Sequence, residues 1–154
     1  MNKRNIILIG MPGAGKSSVG VILAKVLGYE FIDTDLVIQH REKRLLREII
    51  ADEGNEGFLA IENEVNATLE ADKSVIAPGG SAIYGKEAME HFKEIGTIVY
   101  LKLSYEDLAK RLGNLKGRGV VLKEGQTLKD LYDERSKLYE QYAEITVDES
   151  GRDI

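Results

Sequence analysis

The chain has 154 residues, 43% hydrophobic and 31% charged, with a net charge of −5 at pH 7. That is enough for one domain with a real core, and it excludes a largely disordered chain. The acidic balance argues against a general nucleic-acid binder, and the absence of cysteine excludes disulfides and thiolate metal sites.

Residues 1–4 run into a short apolar stretch, Ile6 to Ile9, which stops at Gly10. Four apolar residues are too few for a signal-peptide core or a membrane span, so a cytoplasmic protein without a membrane partner is expected. The stretch predicts a first strand over 5–9. After it comes Gly10-Met11-Pro12-Gly13-Ala14-Gly15-Lys16-Ser17, the pattern G-x-x-x-x-G-K-[ST]. Its glycines allow successive backbone N–H groups to turn inward on anionic oxygens, and the following helix start adds partial positive charge. The pattern predicts that Gly13, Ala14, Gly15, Lys16, Ser17 and Ser18 bind the phosphates of a nucleoside triphosphate. Lys16 reaches the β and γ phosphates, and the Ser17 hydroxyl ligates Mg2+.

A helix is predicted over 17–27, with Val19, Ile22, Leu23, Val26 and Leu27 on its buried stripe and Gly28 as its stop. A second strand over 30–32 leads into Asp33-Thr34-Asp35. Residues two apart on an extended chain point the same way, so both carboxylates can face the phosphate loop. There they could hold magnesium or take a proton from an attacking hydroxyl, while a helix N-cap is the plainer use of an Asp. The basic run Arg41 to Arg47 reads as one solvated helix face.

Helices are expected over 57–69, 86–94, 105–112 and 128–142, the third capped by Ser104. Further strands are expected over 74–77, 97–103 and 144–147. Continuous rather than alternating apolar strands that alternate with helices predict an α/β fold with a mainly parallel sheet covered on both faces. Ligands of such sheets sit beyond the carboxyl ends of the strands. Pro78-Gly79-Gly80-Ser81 ends the third strand, where glycines let a ligand approach the backbone. Gly113-Asn114-Leu115-Lys116-Gly117-Arg118-Gly119 reads as a basic, glycine-punctuated lid. His40, His91, Tyr132, Tyr139 and Tyr142 read as surface or packing residues.

Taken together, the phosphate loop, the Asp-x-Asp and these later features resemble the shikimate kinase family, P-loop kinases related to nucleoside monophosphate kinases. The resemblance runs from Asn5 to Asp148. It implies a three-layer P-loop NTPase-type fold with a five-stranded parallel sheet. It also implies an inserted substrate-binding segment over 33–62 and a lid over 113–125, all within a single kinase domain spanning 1–154. The implied reaction transfers the γ-phosphoryl of ATP to the 3-hydroxyl of shikimate. By resemblance Lys16, Asp35 and Arg118 are catalytic, with Asp35 as base and Arg118 reaching the transferring phosphate. Ser17 and Asp33 serve the metal, and Arg111 packs on the adenine. Asp35, Phe58, Glu62, Gly79, Gly80 and Arg135 bind the acceptor, Arg135 through its carboxylate. The implied working unit is a monomer.

Four positions depart from the family pattern. Leu59 stands where the family has an arginine in Phe-Arg-x-x-Glu, and leucine lacks its forked donors. Pro78 precedes the glycine pair, Ser81 replaces a third glycine, and Gly119 follows Arg118 in place of proline. On this ground another hydroxylated acceptor is an alternative to shikimate, and one of Arg41, Arg44 and Arg47 could replace the lost cation. The alternative from a different class is a nucleotide-binding regulatory protein without catalysis, against which Lys16, Asp35 and Arg118 speak. The family continues into one more helix after the last strand, and a chain without it would leave one sheet face less covered.

Overall fold

The computed structural model describes residues 4–113 and 125–149. Five strands, β1 (Asn5–Ile9), β2 (Glu30–Asp33), β3 (Ser74–Ala77), β4 (Gly96–Lys102) and β5 (Ile145–Asp148), form one sheet in the order β2-β3-β1-β4-β5. Every neighbouring pair is parallel. The helices are α1 (Lys16–Leu27), α2 (Thr34–Glu42), α3 (Leu46–Ala67), α4 (Lys86–Ile95), α5 (Tyr105–Gly113) and α6 (Leu128–Tyr142). All five strands lie within a residue or so of their predicted positions; β1, β3 and β4 are largely buried, as the expected two-sided cover requires, whereas all four residues of β5 are exposed.

Successive strand residues point to opposite faces. Ile7, Ile9, Ile98 and Tyr100 face one side, with Phe92 of α4 and Tyr139 of α6. Leu8, Val75 and Leu101 face the other, with Ala14 and Ala24. On that second side α1 keeps only part of the predicted stripe, since Val19 and Leu23 pack against the cluster and the rest of it does not. Ile22 and Val26 are 65% and 77% exposed, whereas Gly20 and Ala24 are buried. The helix approaches the sheet through its small residues: a Cβ on Gly20 would stand 2.5 Å from the Phe31 ring. Beside α1, Leu23, Val99, Leu101, Ile145 and Val147 line an open apolar groove over the β4–β5 side.

The sequence reading missed α2 and the first arm of α3. Only Thr34 and Ile38 of α2 are buried, so it offers no apolar stripe to read. Gly54, with φ 76° and ψ 176°, breaks α3 into two arms, and only the second was expected. The run from Arg41 to Arg47 is therefore no single helix face; it crosses the end of α2, a turn and the start of α3. Among the described residues no helix is long and apolar enough to cross a membrane.

Candidate active site

Beyond the carboxyl ends of β1, β2 and β3 lies a cleft of about 730 Å³, ample for a small-molecule site. The phosphate loop forms one end. Gly13 and Gly15 take φ values of 90° and 81°, which side chains disfavour. These values turn the loop directly into α1. Lys16 Nζ donates to the carbonyls of Gly10 at 2.6 Å and Met11 at 3.1 Å. Gly13, Gly15, Ser17 and Ser18 line the cleft with Lys16. Ala14 does not: its side chain is fully buried beneath the loop, which leaves only its backbone to face a ligand. Arg111 of α5 also lines the cleft, and its Nη1 donates to the Gly13 carbonyl at 2.9 Å. Arg118 and residues 114–124 of the expected lid lie outside the described residues.

Asp33 and Asp35 both line the cleft, for a reason other than strand alternation. Asp33 closes β2 and caps α2, its Oδ1 accepting from the Asp35 N–H at 2.9 Å, and Asp35 sits in the first helical turn. The cap itself draws the two carboxylates together. Burial pushes Asp35 up to about 6, reinforced by the Asp33 carboxylate and opposed by Lys16.

Opposite the phosphate loop, Phe58 and Glu62 project from the second arm of α3, one turn apart. Glu62 is 2% exposed. Its Oε1 accepts from Ser81 Oγ at 2.7 Å, while Oε2 has no protein partner. Burial raises Glu62 to about 7; the Ser81 bond opposes the rise, the Asp35 charge adds to it, and Arg135 and Lys16 oppose it. Arg135 of α6 is 3% exposed. It does not take the plainer pairings of a surface arginine. The Glu134 carboxylate receives the Tyr84 hydroxyl, and Glu140 receives Lys102 at 3.3 Å. Arg135 instead stacks over the Tyr84 ring at 5.6 Å, with its Nε unpartnered. Buried orphans are rare enough in folded proteins that Glu62 Oε2 and Arg135 Nε, both at the cleft, point to a ligand that completes them.

Gly79 and Gly80 sit between these groups. A Cβ on Gly79 would stand 2.9 Å from Asp35 Oδ1 and 3.1 Å from Glu62 Oε2. On Gly80 it would stand 2.8 Å from Arg135 Nη1. The glycine pair makes room for the protein's own charged groups, a tighter requirement than backbone access for a ligand. Two residues that the sequence reading set aside belong to this end. Ser81 orients Glu62, and Tyr139, one turn beyond Arg135, donates its hydroxyl to the Gly80 carbonyl at 2.7 Å. The sequence reading takes Ser81 only as a departure from a third glycine and Tyr139 only as packing, although Tyr139 ends the Arg135-Ser136-Lys137-Leu138-Tyr139 stretch. Leu59 is not part of the cleft lining, and packs with Ile38, Ile49, Phe58 and Val65.

Comparison with known proteins gives a consistent picture. The shikimate kinase family profile matches residues 12–154. Shikimate kinase 2 of Yersinia enterocolitica is 34% identical, with 94% of this chain and 86% of that protein aligned. A solved shikimate kinase from Acinetobacter baumannii in complex with shikimate is 36% identical with a TM-score of 0.81, over 93% of this chain and 82% of that one. Shikimate kinase from Aquifex aeolicus is 32% identical with a TM-score of 0.74, over 94% and 85%. Thymidylate kinase from Candida albicans, 15% identical with a TM-score of 0.59 over 99% of this chain and 86% of that one, shares the fold alone.

Proposed function

The chain belongs to the shikimate kinase family and is an ATP-dependent phosphotransferase acting on shikimate; we propose that Asp35 serves as its base and that the 3-hydroxyl of shikimate is the attacking group. The observation that carries this reading is the Asp35 carboxylate. It stands in the same cleft as Lys16, with its pKa lifted to about 6, near where a base working at neutral pH is most effective.

The acceptor oxygen bonds to the γ phosphorus, its proton passes to Asp35, and the bond from that phosphorus to the β–γ bridging oxygen breaks, releasing ADP. The backbone N–H groups of residues 13–18 cradle the phosphates, and Lys16 exchanges its loop carbonyls for the β and γ oxygens. Arg111 flanks the adenine, and Arg118 meets the transferring phosphoryl from the lid over 113–125. Residues 33–62 form the acceptor-binding segment, in which Phe58 packs on the ring. Glu62 and the Gly79–Gly80 turn meet its hydroxyls, and Arg135 holds its carboxylate.

A magnesium ion suits the oxygen donors present, the Ser17 hydroxyl and the Asp33 carboxylate. Among the described residues no group of three acidic or histidine side chains could hold an ion by itself. That agrees with an ion whose remaining ligands are waters and nucleotide phosphates. When bound, it would neutralise charge developing on the phosphoryl oxygens. We read the working unit as a monomer, since the phosphate loop, Asp35, Glu62 and Arg135 already share one cleft within a single fold. The acidic surface disfavours nucleic acid, and the supply of ATP places the reaction in the cytoplasm.

The test is ADP release with magnesium and ATP, against shikimate and a panel of hydroxylated acids and sugars. Shikimate should be the best acceptor, and phosphorus NMR of the product should show a 3-phosphate ester. A faster panel compound would overturn the reading.

A further inference from the structure

The three arginines around the α2–α3 turn have different surroundings. Arg41 Nη2 lies 2.7 Å from Glu64 Oε1. Arg44 meets Glu42 and Asp52 at 3.1 Å and Glu53 at 3.2 Å. Arg47 lines the cleft beside Leu46 and Ile50, and among the described residues it has no hydrogen-bond or ion-pair partner. Its position does not serve the helix either. It lies in the first turn of α3, where the helix's own partial positive charge disfavours a cation. That helix end is already served by Glu48, whose Oε1 accepts from the Leu45 N–H at 2.9 Å.

The cleft's cations divide by end. Lys16 and Arg111 contact the phosphate loop at Gly10, Met11 and Gly13. Among the described residues that leaves Arg135 and the exposed Arg47 as the cleft's other cations, Arg47 on the arm of α3 that precedes Phe58 and Glu62. An acceptor carrying a carboxylate is repelled from Asp35 and Glu62, and two guanidiniums without a carboxylate of their own are its natural seat. We infer that Arg47 is a specificity-determining residue for the acceptor, closing on its carboxylate from α3 while Arg135 holds it from α6. The inference rests on the shikimate reading of the cleft. It explains how the site manages with Leu59 turned into an apolar cluster: the second forked donor comes from the other arm of α3, across the Gly54 kink.

Steady-state kinetics of Arg47→Met and Arg47→Lys, with shikimate and with its methyl ester, test this. Arg47→Met should raise KM for shikimate about tenfold, the loss of one charge-assisted contact. It should leave kcat and the KM for ATP within about twofold, because the carboxylate is held alike in ground and transition states. Arg47→Lys should fall between. For the uncharged ester kcat/KM should be the same in wild type and Arg47→Met, and Arg41→Met should change neither substrate. An unchanged KM for shikimate, or an equal loss for acid and ester, overturns the assignment of Arg47 while the shikimate reading stands. A wild-type enzyme that turns over the panel but not shikimate overturns both.

Discussion

The phosphate end of the cleft is built around one uninterrupted stretch, residues 10–18, in which a backbone cradle carries Lys16, with Arg111 of α5 joining it at Gly13. The end that we assign to the acceptor draws Asp35 from α2, Arg47, Phe58 and Glu62 from α3, Gly79 to Ser81 from the loop after β3, and Arg135 from α6. A backbone cradle leaves little room for variation, since its geometry is fixed by glycine φ values and a helix start. An end assembled from side chains on several elements can trade one contact for another. Ser81 in place of a glycine supports Glu62, and Leu59 in place of an arginine joins the core beside Phe58.

Changing Lys16 tests the first half of that contrast. Lys16→Ala should lower kcat/KM at least about a thousandfold with every acceptor alike, because it removes a cation from the transferring phosphoryl. ADP release across the panel reads this, and a loss confined to shikimate would place Lys16 at the wrong end.

Asp35→Asn should reduce kcat about a hundredfold to a thousandfold and leave ATP affinity within about threefold, since the amide keeps the shape but takes no proton. In the unaltered enzyme kcat/KM for shikimate should fall as pH drops through about 6, where Asp35 becomes protonated. Calorimetric ATP binding and the pH profile together check the division. A collapse of ATP binding with turnover intact would assign Asp35 to the metal.

Glu62 tests how much stability the acceptor end gives up. Its folded pKa of about 7 lies above the ordinary 4.5. The folded protein therefore binds this proton more tightly, and that stabilisation is lost as pH rises through about 7. Glu62→Gln, neutral at every pH, should gain about 1–3 kcal/mol over wild type at pH 8 and nothing below pH 4.5. Urea unfolding at the two pH values measures the gain, and equal stability at pH 8 would show that Arg135 fully supports the charge.

The smallest effect belongs to Leu59→Arg. By the family pattern alone, an arginine at position 59 adds a carboxylate clamp and lowers KM for shikimate. With Leu59 packed against Ile38 and Phe58 instead of lining the cleft, we expect KM to move less than about twofold. Stability should fall by about 1–2 kcal/mol as the stem leaves its packing and the cation reaches for water. A tenfold gain for shikimate would show that position 59 still reaches the acceptor.

The sequence by itself determined what depends on short-range order. The five strands, the phosphate loop with Lys16 and Ser17, and the turn at Gly79 and Gly80 are all contiguous patterns whose physics is local. It also brought Asp33 and Asp35 to one place, though strand alternation was the wrong cause and a helix cap the right one. Tertiary structure decided which face of α1 packs, because small Gly20 and Ala24 fit the sheet more closely than the larger apolar residues did. It decided too that α2 exists at all, and that Arg41, Arg44 and Arg47 have three different fates. Those outcomes depend on carboxylates and surfaces brought in from other elements, such as Glu64 to Arg41 and the cleft to Arg47. A charge declares its sign in the sequence, but its partner is chosen only when the chain folds.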